Sequence, residues 1–105
     1  MSRFPIIEEH ELSRITGRQG LVLLDFWQAS CAPCRALEPR LDRFAAANPG
    51  AFEGYRIDVD AQPDIVKRYG VMSIPTIIVL RDGRETARLY GLIRDSDLAE
   101  VLVRS

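Results

Sequence analysis

Two cysteines stand with two residues between them, Cys31-Ala32-Pro33-Cys34, and the chain has no others. Two thiols at this spacing can form a structural staple, supply half of a metal site or exchange electrons as a dithiol. A metal site needs further ligands. The only histidine is His10, so no metal is expected. Dithiol exchange needs an accessible thiolate, a second thiol in reach and an acceptor for that thiol's proton. An apolar run, Leu21 to Trp27, precedes the pair, and a helix-like run follows it. Cys31 is therefore expected at a helix N-terminus, where unpaired N–H groups and the positive dipole end favour its anion. That makes Cys31 the expected nucleophile. Cys34, one turn inward and less exposed, is the expected resolving thiol. Pro33 fixes the backbone in the first helical turn, where its missing N–H costs little.

Asp25 is the anomaly in the apolar run. A carboxyl among Leu23, Leu24 and Phe26 is costly to ionise, so its pKa is expected to rise. A raised pKa suits a base that takes the Cys34 proton, directly or through a water. The alternative is a buried carboxylate paired with Arg56 and otherwise inert. An arginine keeps its charge at any relevant pH, so Arg56 should oppose the upward shift more persistently than a lysine would. Asp58, two residues on, offers Arg56 another partner.

The elements that must position these groups alternate along the chain. Phe4 to Ile7 reads as a short strand, with Pro5 marking it as an edge. Glu8 to Thr16 reads as a helix stopped by Gly17. Leu21 to Trp27 is apolar on both faces, which suits a central strand covered on both sides. Cys31 to Ala47 is the longest helix; Leu37, Leu41, Phe44 and Ala45 recur at helical spacing, and Pro39 should kink it. Phe52 to Val59 alternates as a strand. Pro63 to Tyr69 is a helix with proline in its first turn and Gly70 past its end. Thr76 to Leu80 and Glu85 to Tyr90 flank an Asp82-Gly83 hairpin turn. Asp95 or Ser96 caps a last helix carrying Leu98, Val101 and Leu102 on one face. The order βαβαβαββα predicts an α/β fold: parallel pairs joined by crossovers, an antiparallel terminal hairpin, and helices on both faces of a mixed sheet.

The bulk numbers exclude several roles. One hundred and five residues, 47% of them hydrophobic, suffice for one domain with its own core. The net charge is −1 and no basic stripe is present, so nucleic acid is not expected as a partner. No run approaches the roughly 20 apolar residues of a membrane span. The N-terminal stretch turns acidic at Glu8 and Glu9 and does not read as a secretory signal. A cytoplasmic, monomeric protein with no membrane contact is expected. In that compartment such a cysteine pair is more often catalytic or metal-binding than structural.

Taken together, the residues resemble the thioredoxin family over essentially the whole chain. The matching segments are Asp25-Phe26-Trp27, Cys31-Ala32-Pro33-Cys34, Pro39, Asp58-Val59-Asp60, Tyr69-Gly70-Val71, Ile74-Pro75-Thr76, Asp82-Gly83 and Gly91. The cysteine pair together with Ile-Pro-Thr about forty residues later is the specific part. The resemblance implies a single thioredoxin-like domain over residues 1–105, with three α/β/α layers and a mixed five-stranded sheet. It implies a protein-disulfide reductase that binds no cofactor and works through a redox-active Cys31–Cys34 disulfide. Its partners would be disulfide-containing client proteins and a thioredoxin-reductase-like electron donor. Pro75 would be a cis-proline facing the cysteines, leaving the Ile74 backbone free to pair with an extended client segment. Trp27, Ala32, Pro33, Ile74 and Gly91 would form the client-binding surface.

Three departures bear on tuning. Ser30 stands where the family usually has an aromatic, Ala32 where it has glycine, and Arg56 where it has lysine. They leave open a thiol oxidant or isomerase of raised reduction potential. A thioredoxin-fold interaction module without turnover is a further alternative, although such a scaffold has no need of a carboxyl behind the thiols.

Overall fold

The computed structural model describes residues 4–104. After a 3-10 turn at Glu9–Glu11 come α1 (Leu12–Thr16), β1 (Leu21–Trp27), α2 (Ala32–Ala47), β2 (Glu53–Asp58), α3 (Pro63–Tyr69), β3 (Thr76–Arg81), β4 (Arg84–Tyr90) and α4 (Asp95–Arg104). The sheet order is β2-β1-β3-β4. The strand that separates two cores must be apolar on both faces, and β1 is buried along Leu21 to Phe26. Val22, Leu24 and Phe26 pack with Leu12, Ile15 and Ile65 on the α1 and α3 side. Leu21 and Leu23 pack with Leu37, Leu41, Leu98 and Val101 on the α2 and α4 side. The three-layer arrangement expected from the alternation is therefore present.

Two expectations are corrected. The sheet has four strands among the described residues, not five. The segment Phe4 to Ile7 makes only an isolated parallel bridge, Ile6 to Arg56. The Ile7 N–H donates to the Arg56 carbonyl at 3.0 Å, and the Arg56 N–H donates to the Pro5 carbonyl at 2.8 Å. No ladder extends from there. Pro5 has no N–H to give, the Phe4 carbonyl accepts from the Arg56 side chain instead, and the Glu8 N–H turns back to the Glu11 carboxylate. Both ends of the would-be strand are drawn away.

The second correction concerns direction. The β1–β2 pair is parallel, as a crossover through α2 requires, but β3 runs antiparallel to β1. The length of α3 explains this. Its seven residues span about 10 Å, whereas a six-residue strand spans about 20 Å. The chain does not return along the sheet, so β3 starts at the end of the sheet where β2 ended.

The Asp-Gly turn is real and is anchored. Asp82 and Gly83 both have positive φ, 53° and 83°, the geometry that two-residue hairpins favour. The Asp82 N–H donates to the Gly20 carbonyl at 2.9 Å, and the Gly20 N–H donates to the Asp82 carboxylate at 2.6 Å. A Cβ at Gly83 would stand 2.1 Å from the Thr16 carbonyl oxygen. Glycine here is thus required twice, by conformation and by the close approach of α1. Gly83→Ala is expected to lower stability by about 2–4 kcal/mol, read from guanidinium unfolding midpoints. A loss under about 0.5 kcal/mol, the level of an ordinary surface change, would contradict this packing.

Candidate active site

Helix α2 begins at the thiols. Cys31 is its N-cap, in extended conformation, and its Sγ accepts the Cys34 N–H at 3.2 Å. The sulfur thus satisfies one of the N–H groups that a helix start leaves unpaired. Ala32 and Pro33 are the first two helical residues and are exposed. Ser30 is exposed just before the cap and does not serve as the cap itself. Cys31 is partly accessible, whereas Cys34 is 1% exposed. The two are joined as a disulfide, with Cα atoms 5.2 Å apart. The exposed-outer, buried-inner arrangement is the asymmetry that exchange chemistry needs.

On β1, Asp25 is 1% exposed. Its neighbours in the sheet are Arg56 on β2 and Ile77 on β3. Neither carboxyl oxygen has a hydrogen-bond partner among the described residues. Burial pushes its pKa up to about 7; the Arg56 charge pulls it down, and Glu38 pushes it up. The expectation of a raised carboxyl therefore holds, with burial as the main cause.

Arg56 reaches Glu38 of α2 rather than Asp58. Its Nε donates to the Phe4 carbonyl at 3.1 Å, and its guanidinium lies 4.8 Å from the centre of the Trp27 ring. Asp58 accepts the Asp60 N–H instead.

The Ile74–Pro75 peptide is cis. Pro33, Ile74, Pro75 and Gly91 share one cleft of about 390 Å³, with Leu37, Leu92 and Arg40 also lining it. Trp27 does not line it; the ring is half-buried under Arg56. Sequence reasoning missed Glu38, Arg40 and Leu92. Glu38 follows Cys34 by four residues, the spacing that places two side chains on one helix face. Leu92 is 79% exposed beside Gly91, and a short apolar pair, Leu92-Ile93, after a strand gives no sequence signal. Among the described residues no group of three or more His, Cys, Asp or Glu is placed to hold a metal ion. Among the described residues no helix is long and apolar enough to cross a membrane.

A family model described as Thioredoxin matches residues 7–104. The chain belongs to the thioredoxin family. It is 41% identical over 83 residues to a thioredoxin of Staphylococcus aureus strain Mu50, covering 79% of this chain and 80% of that one. It superposes on a thioredoxin mutant from Halobacterium salinarum with TM-score 0.83 and 28% identity, covering 97% and 91% of the two chains. A chain from a structural study of a yeast mitochondrial 1-Cys peroxiredoxin and its glutathione and thioredoxin systems gives TM-score 0.87 at 22% identity, over 96% and 94%. That likeness is one of fold. Thioredoxins are protein-disulfide reductases, and this member carries the cysteine pair that makes it a thiol–disulfide oxidoreductase.

The raised Asp25 carboxyl sets a pH dependence of stability. In the unfolded chain it ionises near its ordinary 3.8; in the folded chain it holds its proton to about 7. Between those values the folded state binds more protons, so stability falls as pH rises through the window. The full difference amounts to about 4 kcal/mol. Asp25→Asn removes the ionisation. The variant is expected to gain on the wild type progressively from pH 4 to pH 7 and to keep that lead above pH 8. Guanidinium unfolding of the oxidised proteins across this range is the measurement. A gap independent of pH contradicts a buried, raised carboxyl.

Proposed function

We propose that this thioredoxin reduces protein disulfides with Cys31 as nucleophile, Cys34 as resolving thiol and Asp25 as proton acceptor and donor. The observation that carries the reading is the buried Asp25 carboxyl, raised to about 7, in a chain whose thiol pair caps a helix. The Cys31 thiolate attacks one sulfur of a client disulfide. The client S–S bond breaks, a mixed disulfide to Cys31 forms, and the first client thiolate leaves and takes a proton. Asp25 then accepts the Cys34 proton, directly or through a water. The Cys34 sulfur attacks Cys31 and releases the second client thiolate, to which the proton returns. Two electrons have passed to the client, and the protein holds a Cys31–Cys34 disulfide. A carboxyl half-ionised near neutral pH both takes and returns a proton with little penalty.

A thioredoxin-reductase-like donor supplies two electrons and two protons to reopen that disulfide. Clients are disulfide-containing proteins presented as extended segments beside the Ile74 backbone and Pro75. Pro33, Ile74 and Gly91, which line the cleft, form the apolar floor of the client site, with the exposed Ala32 and the Trp27 ring flanking the thiols. Ser30 and Ala32 set the potential, and Arg56 adjusts Asp25. The protein acts as a monomeric single domain in the cytoplasm, with no bound cofactor.

In an insulin-reduction assay Cys31→Ser is expected to abolish activity, and Cys34→Ser to retain clients as mixed disulfides. Activity surviving in Cys31→Ser would refute its assignment as nucleophile. A reduction potential near the roughly −270 mV usual for thioredoxins supports the reductase direction, whereas one above about −180 mV would move the protein to the oxidant or isomerase class.

A further inference from the structure

Glu38 lies outside the cysteine motif, yet its helix position, its ion pair and its partner's place in the sheet tie it to the same centre. It follows Cys34 by four residues in α2, so the two side chains share a helix face. It forms an ion pair with Arg56, and the two side chains are only 20% and 12% exposed. Arg56 is the parallel-strand partner of Asp25, and paired residues of neighbouring strands point to the same face of a sheet. Arg56 is also held from two other sides, by the Phe4 carbonyl and the Trp27 ring. It cannot swing away from Asp25 without giving these up.

A permanent cation fixed beside the proton acceptor favours the carboxylate and weakens it as a base. Something must offset that charge if Asp25 is to take a proton at neutral pH. We propose that Glu38 is a positioning residue for the exchange chemistry, neutralising and holding the Arg56 guanidinium so that Asp25 keeps its capacity to take the Cys34 proton and give it back.

Among the described residues, the charged groups that act on Asp25 are Arg56 from β2 and Glu38 from α2, and from β3 the opposing residue is the apolar Ile77. Glu38 acts on Asp25 by two routes: its own negative charge disfavours a second carboxylate, and its pairing with Arg56 screens the cation. Both routes push in one direction, in agreement with the upward push on the Asp25 carboxyl from Glu38 and the downward pull from Arg56. The inference rests on the reading of Asp25 as the proton acceptor, so the experiment must separate the two.

The carboxyl titration of Asp25 is followed by NMR on protein labelled at the aspartate carboxyl carbons, with Asp25→Asn identifying the signal. Glu38→Gln is expected to lower the midpoint by at least about half a pH unit. Arg56→Gln is expected to raise it, and Glu38→Gln with Arg56→Gln to bring it back toward the wild type. Alongside, the release of client from the mixed disulfide is timed against pH, and its acid limb is expected to move down in Glu38→Gln by the same interval. An unmoved Asp25 midpoint in Glu38→Gln, or shifts of the same sign in the two single variants, overturns the proposal. A midpoint that moves while the release profile stays fixed upholds the charge arrangement and overturns Asp25 as the base.

Discussion

A carboxyl group kept out of water is the constraint around which this molecule is arranged. Asp25 lies in a strand whose other positions are apolar and, but for the half-buried Trp27, buried, with no hydrogen bond among the described residues to relieve it. Left to burial alone it would be a neutral acid of little use as a base near pH 7. Left to Arg56 alone it would be an ordinary carboxylate. A carboxyl raised to about 7 is the balance of burial and Glu38 against Arg56. Burial comes from the helices that cover β1, the Glu38 charge from α2, and the Arg56 charge from the parallel neighbour β2.

Helix α2 brings chemistry and packing together in one element. Its first turn offers the Cys34 N–H to the Cys31 sulfur. The next positions inward bury Cys34 and pack Leu37 and Leu41 against β1 and β3. The apolar residues fix how far the helix slides along the sheet, and the thiols move with it. Burial of Leu37 and Leu41, worth about 1.5–3 kcal/mol each, therefore sets the placement of the resolving sulfur as well as stability. The charged pair of Glu38 and Arg56 fastens the same helix to β2.

Most of the fold could be read from patterns of two and 3.6 residues. The double-faced apolar run of β1, the spacing of Leu37 and Leu41, and the proline and glycine bracketing α3 each gave the right element. The cysteine pair and Asp25 were legible because their residue types conflict with their surroundings. Two kinds of information were not local. The antiparallel course of β3 depends on α3 being shorter than the strands it links, and the missing fifth strand depends on where three donors and acceptors near Pro5 find partners. Arg56 was expected to face Asp25 or Asp58, its neighbours in sheet and sequence. Its partner Glu38 comes from a helix crossing above, and no spacing within β2 points there.

The N-terminal segment shows how far the centre extends. Gly54 on β2 has no side chain, and a Cβ there would stand 2.5 Å from the Phe4 ring. The bare position lets that ring lie flat on the strand, edge-on to Phe52 at 6.1 Å, and this seats the Phe4 carbonyl against Arg56. The electrostatic setting of the thiols is thus moored to the opening residues of the described chain. Evolution could retune the redox centre from that distant end, by reshaping an aromatic clasp, while leaving every residue that touches sulfur unchanged.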